Sequence, residues 1–450
     1  MSVTTDWIFR VGQLLGSNGD MRFDQELFIR DGIISGIHDA ADKSEAAEAT
    51  RHQFKDAKRV NLPDSIMLPG LINSHHHAYS ALARGLPIPE ALPDFPAILA
   101  GLWWKLDRAL DEESIRLSAL LTARDSIRFG CTTIIDHHSS PSLIKGSLDL
   151  IKDEFEKFKL TALLCCEITD RNGQAAFKEA VDENLRFIES QKQSARMRGM
   201  IGLHAPFTLS DESLRYIANV RPKNAPVHVH VAEDETDVKD AKRQGYSGPL
   251  ARLHKFGLLD ENALLVHGVH LPEEDVALAR EINLQIAHNP ESNCNNHVGY
   301  ADPSRFLDTQ VLLGTDGMSS NMLYSLRFAQ MMMSGWSKQN SASMEWAKKI
   351  LFENPTRYLS SMLERAVGKI EVGLPADFAV FPYAAPTPLT ERNWMYHLVY
   401  GLGDNSRASW VFANGQPVLE DGVFSVVDEA ALAEAARTAA QKLWTRFSKL

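Results

Sequence analysis

The sequence predicts an α/β protein: a (β/α)8, TIM-like barrel over residues 66–370, with a small β-sandwich domain formed by both termini. Residues 1–65 and 371–427 make up that small domain, and 428–450 form a C-terminal helix. Three observations carry the prediction. From about residue 66 a short apolar run is followed by a longer amphipathic segment, and the theme recurs eight times. Both flanks read instead as short strands with tight turns. The closing stretch, "AALAEAARTAAQKLWTRFSKL", has helical character throughout.

The N-terminal flank contains "DQELFIRDGIISGIHD", residues 24–39, short strands about a turn at Asp31-Gly32. The eight runs follow: "IMLPGLIN", "CTTIID", "LTALLCCEIT", "RGMIGLHA", "PVHVHVAE", "ALLVHG", "LQIAHN" and "VLLGTD". Between them lie patterns such as "EESIRLSALLTARDSIRFG", with apolar residues three and four apart and Gly130 as the stop. Near-continuous apolar strands alternating with helices imply parallel pairing with both faces covered. Eight such units make a barrel; an open doubly wound sheet with a miscounted strand is the alternative. Beyond them, "GLPADFAVFPY" (373–383) and "SWVFANGQPVLEDGVF" (409–424) return to strand character, the latter with an Asn-Gly hairpin signal.

Composition narrows the function classes. The chain has 450 residues, 44% hydrophobic and 23% charged, as in an ordinary soluble globular protein. Its net charge of −11 argues against nucleic acid as the main partner, because phosphate binding needs a basic face. No apolar run approaches the ~18–20 residues that cross a bilayer, so no membrane partner is expected. The start, "MSVTTDWIFRVGQLLG", lacks the regions of a signal peptide. Cys131, Cys165, Cys166 and Cys294 include no C-x-x-C pair and read as reduced residues, which points to the cytoplasm.

Active sites of such barrels lie at the C-terminal ends of the strands. The first run ends on His75-His76-His77. Residues two apart on a strand share a face, so His75 and His77 can share one ion while His76 faces elsewhere. In "HVHVAE", His228 and His230 share a face, with His230 nearer the mouth. Glu233 would face the opposite side unless the strand turns at Ala232. The remaining ends carry His204, His267, His288 and Asp316. Histidine or carboxylate thus closes six of the eight runs, far beyond what scattered core histidines give.

Blander roles stand beside these. His76 reads as solvated or supporting, His228 as an interior histidine one layer down, and His137 and His138 as loop residues. Asp316 has the alternative of a turn residue in "GTDGMSSN", and His204 and His288 that of orienting their neighbours. Three histidines and an aspartate suit a borderline divalent ion such as zinc or iron and leave room for a water. The ion lowers that water's pKa towards ~7, and Glu233, unliganded, can carry protons to a leaving group. No H-E-x-x-H, P-loop or G-x-G-x-x-G is present.

"PGLINSHHH", "HVHVAE", "LLVHGVHL", "AHNPESN" and "LGTDG" resemble the amidohydrolase superfamily, in its cytosine/guanine/adenosine-type deaminase and chlorohydrolase branch. The resemblance covers nearly the whole chain. "LWWKLDRALDEES", "IIDHHSSP", "TDRNG" and "NCNNHVGY" look like the SsnA-type aminohydrolases within it. It implies His75, His77, His230 and Asp316 as metal ligands, Glu233 as proton shuttle and His267 as the residue orienting the nucleophile. The catalytic set is then Glu233, His267 and Asp316. With no lysine at the end of the fourth run, one ion is expected, zinc first and iron second.

The activity so implied is hydrolytic deamination of an amino-substituted nitrogen heterocycle, a purine, pyrimidine or related ring, releasing ammonia. The alternatives are displacement of chloride or an alkylamine from a triazine-like ring, cleavage of a cyclic amide, and a metal-binding barrel without turnover. Candidate substrate contacts are Arg84, Trp104, Glu167, His204 and Asn293, with Thr169, Asp170, Asn295 and Asn296 as further specificity positions. "LPIPEALPDFP" with Trp103-Trp104 is read as a lid over a flat ring or, equally, as helix packing or an interface. "AQMMMSGW" reads as a core helix, and a homo-oligomer, dimer or larger, is the expected assembly.

Overall fold

Gly70 divides the first apolar run between two sheets. The computed structural model describes residues 5–88, 91–306, 310–337, 342–403 and 405–450. In it Lys58–Pro69 is a strand of the terminal sheet, and Leu71–His76 opens the barrel. A Cβ at position 70 would lie 2.0 Å from both Asp377 Oδ1 and Thr132 Oγ1. Only glycine lets the chain pass that close.

The barrel strands are β1 (Leu71–His76), β2 (Cys131–His138), β3 (Thr161–Ile168), β4 (Ile201–Leu203), β5 (Val227–Val231), β6 (Leu264–His267), β7 (Gln285–His288) and β8 (Gln310–Leu313). Each pairs in parallel with the next. A short piece, Met197–Gly199, adds to β3 just before β4. The ring is drawn together by a parallel bridge from His76 to Asp316, where the N–H groups of Thr315 and Asp316 both donate to His75 O at 3.0 Å. Gly314 makes this approach feasible, since a Cβ there would lie 2.4 Å from Asn289 Oδ1 and 3.0 Å from His75 Cβ. The barrel reading holds, and the open sheet does not.

The helix Glu112–Arg128 shows how the connections form. Asp111 and Ser114 make a reciprocal capping box at its start, and Gly130, at φ +74°, turns the chain just past its end. Its buried stripe of Ile115, Ala119, Ala123 and Ile127 is the three-and-four spacing read in the sequence.

Both termini build one eight-stranded sheet. Trp7–Leu15, Met21–Arg30, Ile33–Asp39 and Lys58–Pro69 meet Phe378–Pro382, Trp410–Ala413, Gln416–Glu420 and Val423–Phe424 through an antiparallel pairing of Lys58–Pro69 with Phe378–Pro382. Asp31-Gly32 and Asn414-Gly415 all have positive φ, as two-residue type I′ hairpins require. The Phe9 and Phe378 rings lie 5.3 Å apart although a strand separates theirs, so this sandwich-like unit is a single sheet curled on itself. Its concave face buries Trp7, Phe9, Phe378 and Phe412, while Ile66, Leu68 and Phe381 on the other face join the barrel core. The last helix, Glu429–Phe447, starts at Asp428 and docks through Trp444 Nε1–H to Leu82 O, 2.9 Å, and Arg446 Nε–H to Ala109 O, 2.6 Å. No helix among the described residues is long and apolar enough to cross a membrane.

Candidate active site

The histidines of β1 divide as the two-residue period requires. His76 turns to the seam with β8, where its Nδ1 meets Thr315 Oγ1 at 3.1 Å, and it takes no place among the candidate ligands. His75 and His77 turn inward to His230 of β5, the three ligand atoms lying within 4.8 Å of one another. Asp316, just past β8, sets its Oδ1 3.1 Å from His77 Nε2 and 3.6 Å from His75 Nε2.

The hydrogen bonds fit these side chains to a cation. His77 Nδ1–H donates to His137 O at 2.6 Å, and His230 Nδ1–H donates to His204 O at 2.8 Å. A carbonyl only accepts, so each Nε2 keeps its lone pair, and the two stand 3.1 Å apart. Two lone pairs that close repel unless a cation lies between them. Nitrogens ~2.0–2.1 Å from a tetrahedral zinc are about 3.4 Å apart, within about 0.3 Å of the 3.1 Å found. His75 Nε2 is buried with no hydrogen-bond partner, the state of a free ligand. Burial, then the neighbouring histidines, holds His230 well below the ordinary histidine pKa; burial does the same to His75, so both stay neutral.

Three non-glycine residues at the C-terminal ends of barrel strands have left-handed backbone: Ala232 (φ +46°), His267 (+73°) and Asp316 (+55°). The turn at Ala232 is the one Glu233 needed, and it brings Glu233 Oε2 to 3.4 Å from His267 Nε2. Asn296 Nδ2–H donates to Glu233 Oε1 at 3.3 Å, and His267 Nδ1–H donates to Asn293 Oδ1 at 2.7 Å. Burial, reinforced by the charge of Asp316, pushes the Glu233 carboxyl well above the ordinary range. Burial pushes Asp316 up as well, but the nearby His75, His77 and His267 hold it well below. The two carboxyl groups are thus driven towards opposite protonation states.

Residues 66–418 match a family model described as the amidohydrolase family. The chain belongs to the amidohydrolase family. Among its curated relatives, 5'-deoxyadenosine deaminase of Methanocaldococcus jannaschii is 28% identical over 399 residues, 86% of this chain and 91% of that one. The 5-methylthioadenosine/S-adenosylhomocysteine deaminase of Desulforudis audaxviator is 27% identical over 399 residues, 86% and 89% of the two chains. Among solved structures, an adenosine deaminase from Xanthomonas campestris with bound zinc has a TM-score of 0.84 at 21% identity, covering 98% of this chain and 99% of that one. Atrazine chlorohydrolase from Arthrobacter aurescens, complexed with zinc, has 0.80 at 19% identity, covering 96% and 100%. These structures share the fold. The protein is a hydrolase of aminohydrolase type, acting on carbon–nitrogen bonds other than peptide bonds.

Above the histidines this amidohydrolase has a pocket lined by His77, His230, Glu233, His267 and Asp316. Of the expected substrate contacts, Trp104, Glu167 and His204 line it. Trp104 lies 4.4 Å from the Arg171 guanidinium, which is ion-paired to Glu167, and its Nε1 is buried without a partner. Two expectations end elsewhere. Arg84 is two-thirds exposed, pairs with Asp125 at 3.3 Å and lines a neighbouring groove, because the chain turns outward after β1. Asn293 lies behind His267 and orients it, while Asn295 and Asn296 reach the pocket.

The other histidines are supporting. His228 Nε2 meets His75 Nδ1 at 2.9 Å, His137 stacks 4.8 Å from His230, and His138 bonds Ser140. All three are buried interior residues, so the loop reading of His137 and His138 fails. His288 is buried against Tyr300 and Trp346. Asp170 accepts from Ser210 N–H and Ser213 Oγ–H at the start of a helix, and Thr169 contacts Arg171. Trp103 lines the pocket; Pro89 and Glu90 of the stretch read as a lid lie outside the described residues. Residues the sequence reading missed include Asp107, one helical turn after Trp104 in "WWKLD" and lining the same pocket, and this helical spacing is the signal that points to it. Ser292, one turn before Asn296, is another; its hydroxyl bonds Asp316.

Proposed function

We propose that this amidohydrolase deaminates an amino-substituted nitrogen heterocycle hydrolytically and releases ammonia, with aminopurine nucleosides the first class to test. The observation that carries this reading is Glu233: a buried acid, held protonated, at the mouth of a three-histidine, one-aspartate cluster and 3.4 Å from His267. The named activities of the relatives, which act on adenosine derivatives, support the purine choice.

One divalent ion, zinc first and iron second, is assigned to His75, His77, His230 and Asp316, and it would supply Lewis acidity and an acidified water at neutral pH. Glu233 delivers a proton to the ring nitrogen beside the amine-bearing carbon and then serves the departing amine. His267, its tautomer set by Asn293, and Asp316 orient the attacking water. Trp103 and Trp104 flank the flat ring, and Glu167, His204 and Asn296 offer polar contacts at its edge.

The four free cysteines support a reducing compartment, the cytoplasm. Tyr324, Met331 and Trp336 on one helix, 44%, 55% and 61% exposed, depart from a core-helix reading of "AQMMMSGW" and support a homo-oligomer. The test is ammonia release by metal-loaded protein from purine nucleosides, free purines, pyrimidines and triazines, with Glu233→Gln alongside. Ammonia from one ring class, lost in the variant, is expected. Chloride or an alkylamine released in its place favours the triazine reading instead.

A further inference from the structure

We propose that Cys165 is a positioning residue that acts through His228 to set the tautomer of the ligand His75; this rests on the metal-site reading above. Behind the site three fully buried side chains form a chain. His75 Nδ1 lies 2.9 Å from His228 Nε2, His228 Nδ1 lies 3.5 Å from Cys165 Sγ, and Cys165 Sγ lies 3.6 Å from Asp136 O.

The last link gives the chain a direction. A carbonyl oxygen only accepts, so the thiol donates its proton to Asp136 O. Its sulfur then accepts from His228 Nδ1–H. His228 Nε2 is left with a lone pair and accepts from His75 Nδ1–H. His75 Nε2 therefore carries the lone pair that faces Asp316, as a ligand must. In the reverse direction the thiol donates to His228 Nδ1, His228 Nε2–H donates to His75 Nδ1, and His75 Nε2–H is spent on Asp316 Oδ1, 3.6 Å away. That tautomer holds no ion. A thiol can accept on one side and donate on the other, and alanine can do neither.

Two further features fit. Gly202 on β4 leaves room for the thiol, since a Cβ there would lie 2.9 Å from Cys165 Sγ. Cys165 and His228 also group with His137, ligand atoms within 4.8 Å, as a conceivable second ion site. Such an ion would need the lone pair of His228 Nδ1, which forces the reverse direction and removes His75 from the first site. The trio therefore serves the first site as a hydrogen-bond chain and holds no ion of its own.

The test reads tautomers and affinity, with no substrate. In zinc-loaded wild type with 15N-labelled histidine, long-range proton–nitrogen spectra should show His75 and His228 protonated at Nδ1; His228 protonated at Nε2 overturns the proposal. By chelator competition, Cys165→Ala should bind zinc about tenfold more weakly or worse, in the range for supporting residues. Cys165→Ser, whose hydroxyl both accepts and donates, should stay within about threefold of wild type. Equal affinity for all three proteins, or a serine variant as weak as alanine, overturns it, as do two equivalents of zinc per wild-type chain. Thermal unfolding of the variants separates lost folding from lost tautomer, and the wild-type spectra need no variant. One equivalent of zinc with no cysteine effect sinks this proposal alone. No zinc on wild type sinks the metal-site reading with it.

Discussion

His77 Nε2 and His230 Nε2 stand 3.1 Å apart, and each ring has committed its other nitrogen to a main-chain carbonyl. Neither ring can swap tautomer without leaving a buried carbonyl unpaired. The pair is thus preorganised for a cation and unfavourable without one. Removing the ion by chelation should lower the unfolding temperature, and zinc should restore it. At free zinc 100-fold above its dissociation constant the gain is about 2.7 kcal/mol, which calorimetry resolves. His230→Ala should abolish the zinc-dependent part.

Glu233→Gln keeps the size and hydrogen-bonding reach of the side chain but removes its proton-transfer function. Turnover should fall by about 10²–10⁴ while metal content is unchanged. Metal analysis beside initial rates checks it, and a loss of metal in the variant would reassign Glu233 as a ligand.

Trp104 and Arg84 make a contrast. Trp104 faces the pocket and Arg84 an exposed groove with Asp125 as partner. Trp104→Ala should raise KM about tenfold or more, by loss of a large apolar contact. Arg84→Ala should leave kcat/KM within about twofold, as exposed ion pairs contribute little. Steady-state kinetics on one substrate decides both.

Asp136 is buried, and burial pushes its carboxyl up to about 7, even though Ala78 N–H donates to Oδ1 at 2.6 Å. Its Oδ2 is buried without a partner. Between the unfolded value of 3.8 and the folded 7, the native state binds the extra proton, so this group costs stability as pH rises. Asp136→Asn keeps the acceptor and removes the titration. Its stability relative to wild type should grow by about 1.4 kcal/mol per pH unit from pH 4 to 7 and level off above. Denaturant unfolding at several pH values measures the slope; a flat difference would mean that Asp136 stays ionised throughout.

Gly314→Ala would put a methyl group 2.4 Å from Asn289 Oδ1 and 3.0 Å from His75 Cβ. We expect about 1–3 kcal/mol of lost stability and weaker metal binding, because the added atom pushes on the seam beside a ligand. Unfolding and metal titration of this variant report the two effects separately.

What was legible in the sequence followed from short-range rules. The two-residue strand period separated His75 and His77 from His76. The Asp-Gly and Asn-Gly pairs located two hairpins, because few other residues take positive φ at both positions. Glu233 was legible only conditionally, since its direction hung on a left-handed turn at Ala232. What stayed hidden depends on packing between distant segments. Pro69 and Leu71 read as one apolar run yet enter different sheets. Asn293 and Asn296 are alike in composition, but one turns behind His267 and the other into the pocket, and only the docked segment decides which. Arg84 was read from its proximity in sequence to the first motif, and the outward turn after β1 carries it away.

The pairing of Lys58–Pro69 with Phe378–Pro382 also bears on how the protein is made. During synthesis the strand that carries Pro69 leaves the ribosome long before its neighbour Phe378 exists. At about 5–20 residues per second the wait is roughly 15–60 s. Throughout it, one edge of an apolar strand offers unpaired main-chain groups to any other chain within reach. Ribosome-bound intermediates that stop short of Phe378 should therefore be the form of this protein most dependent on chaperones and most prone to aggregate.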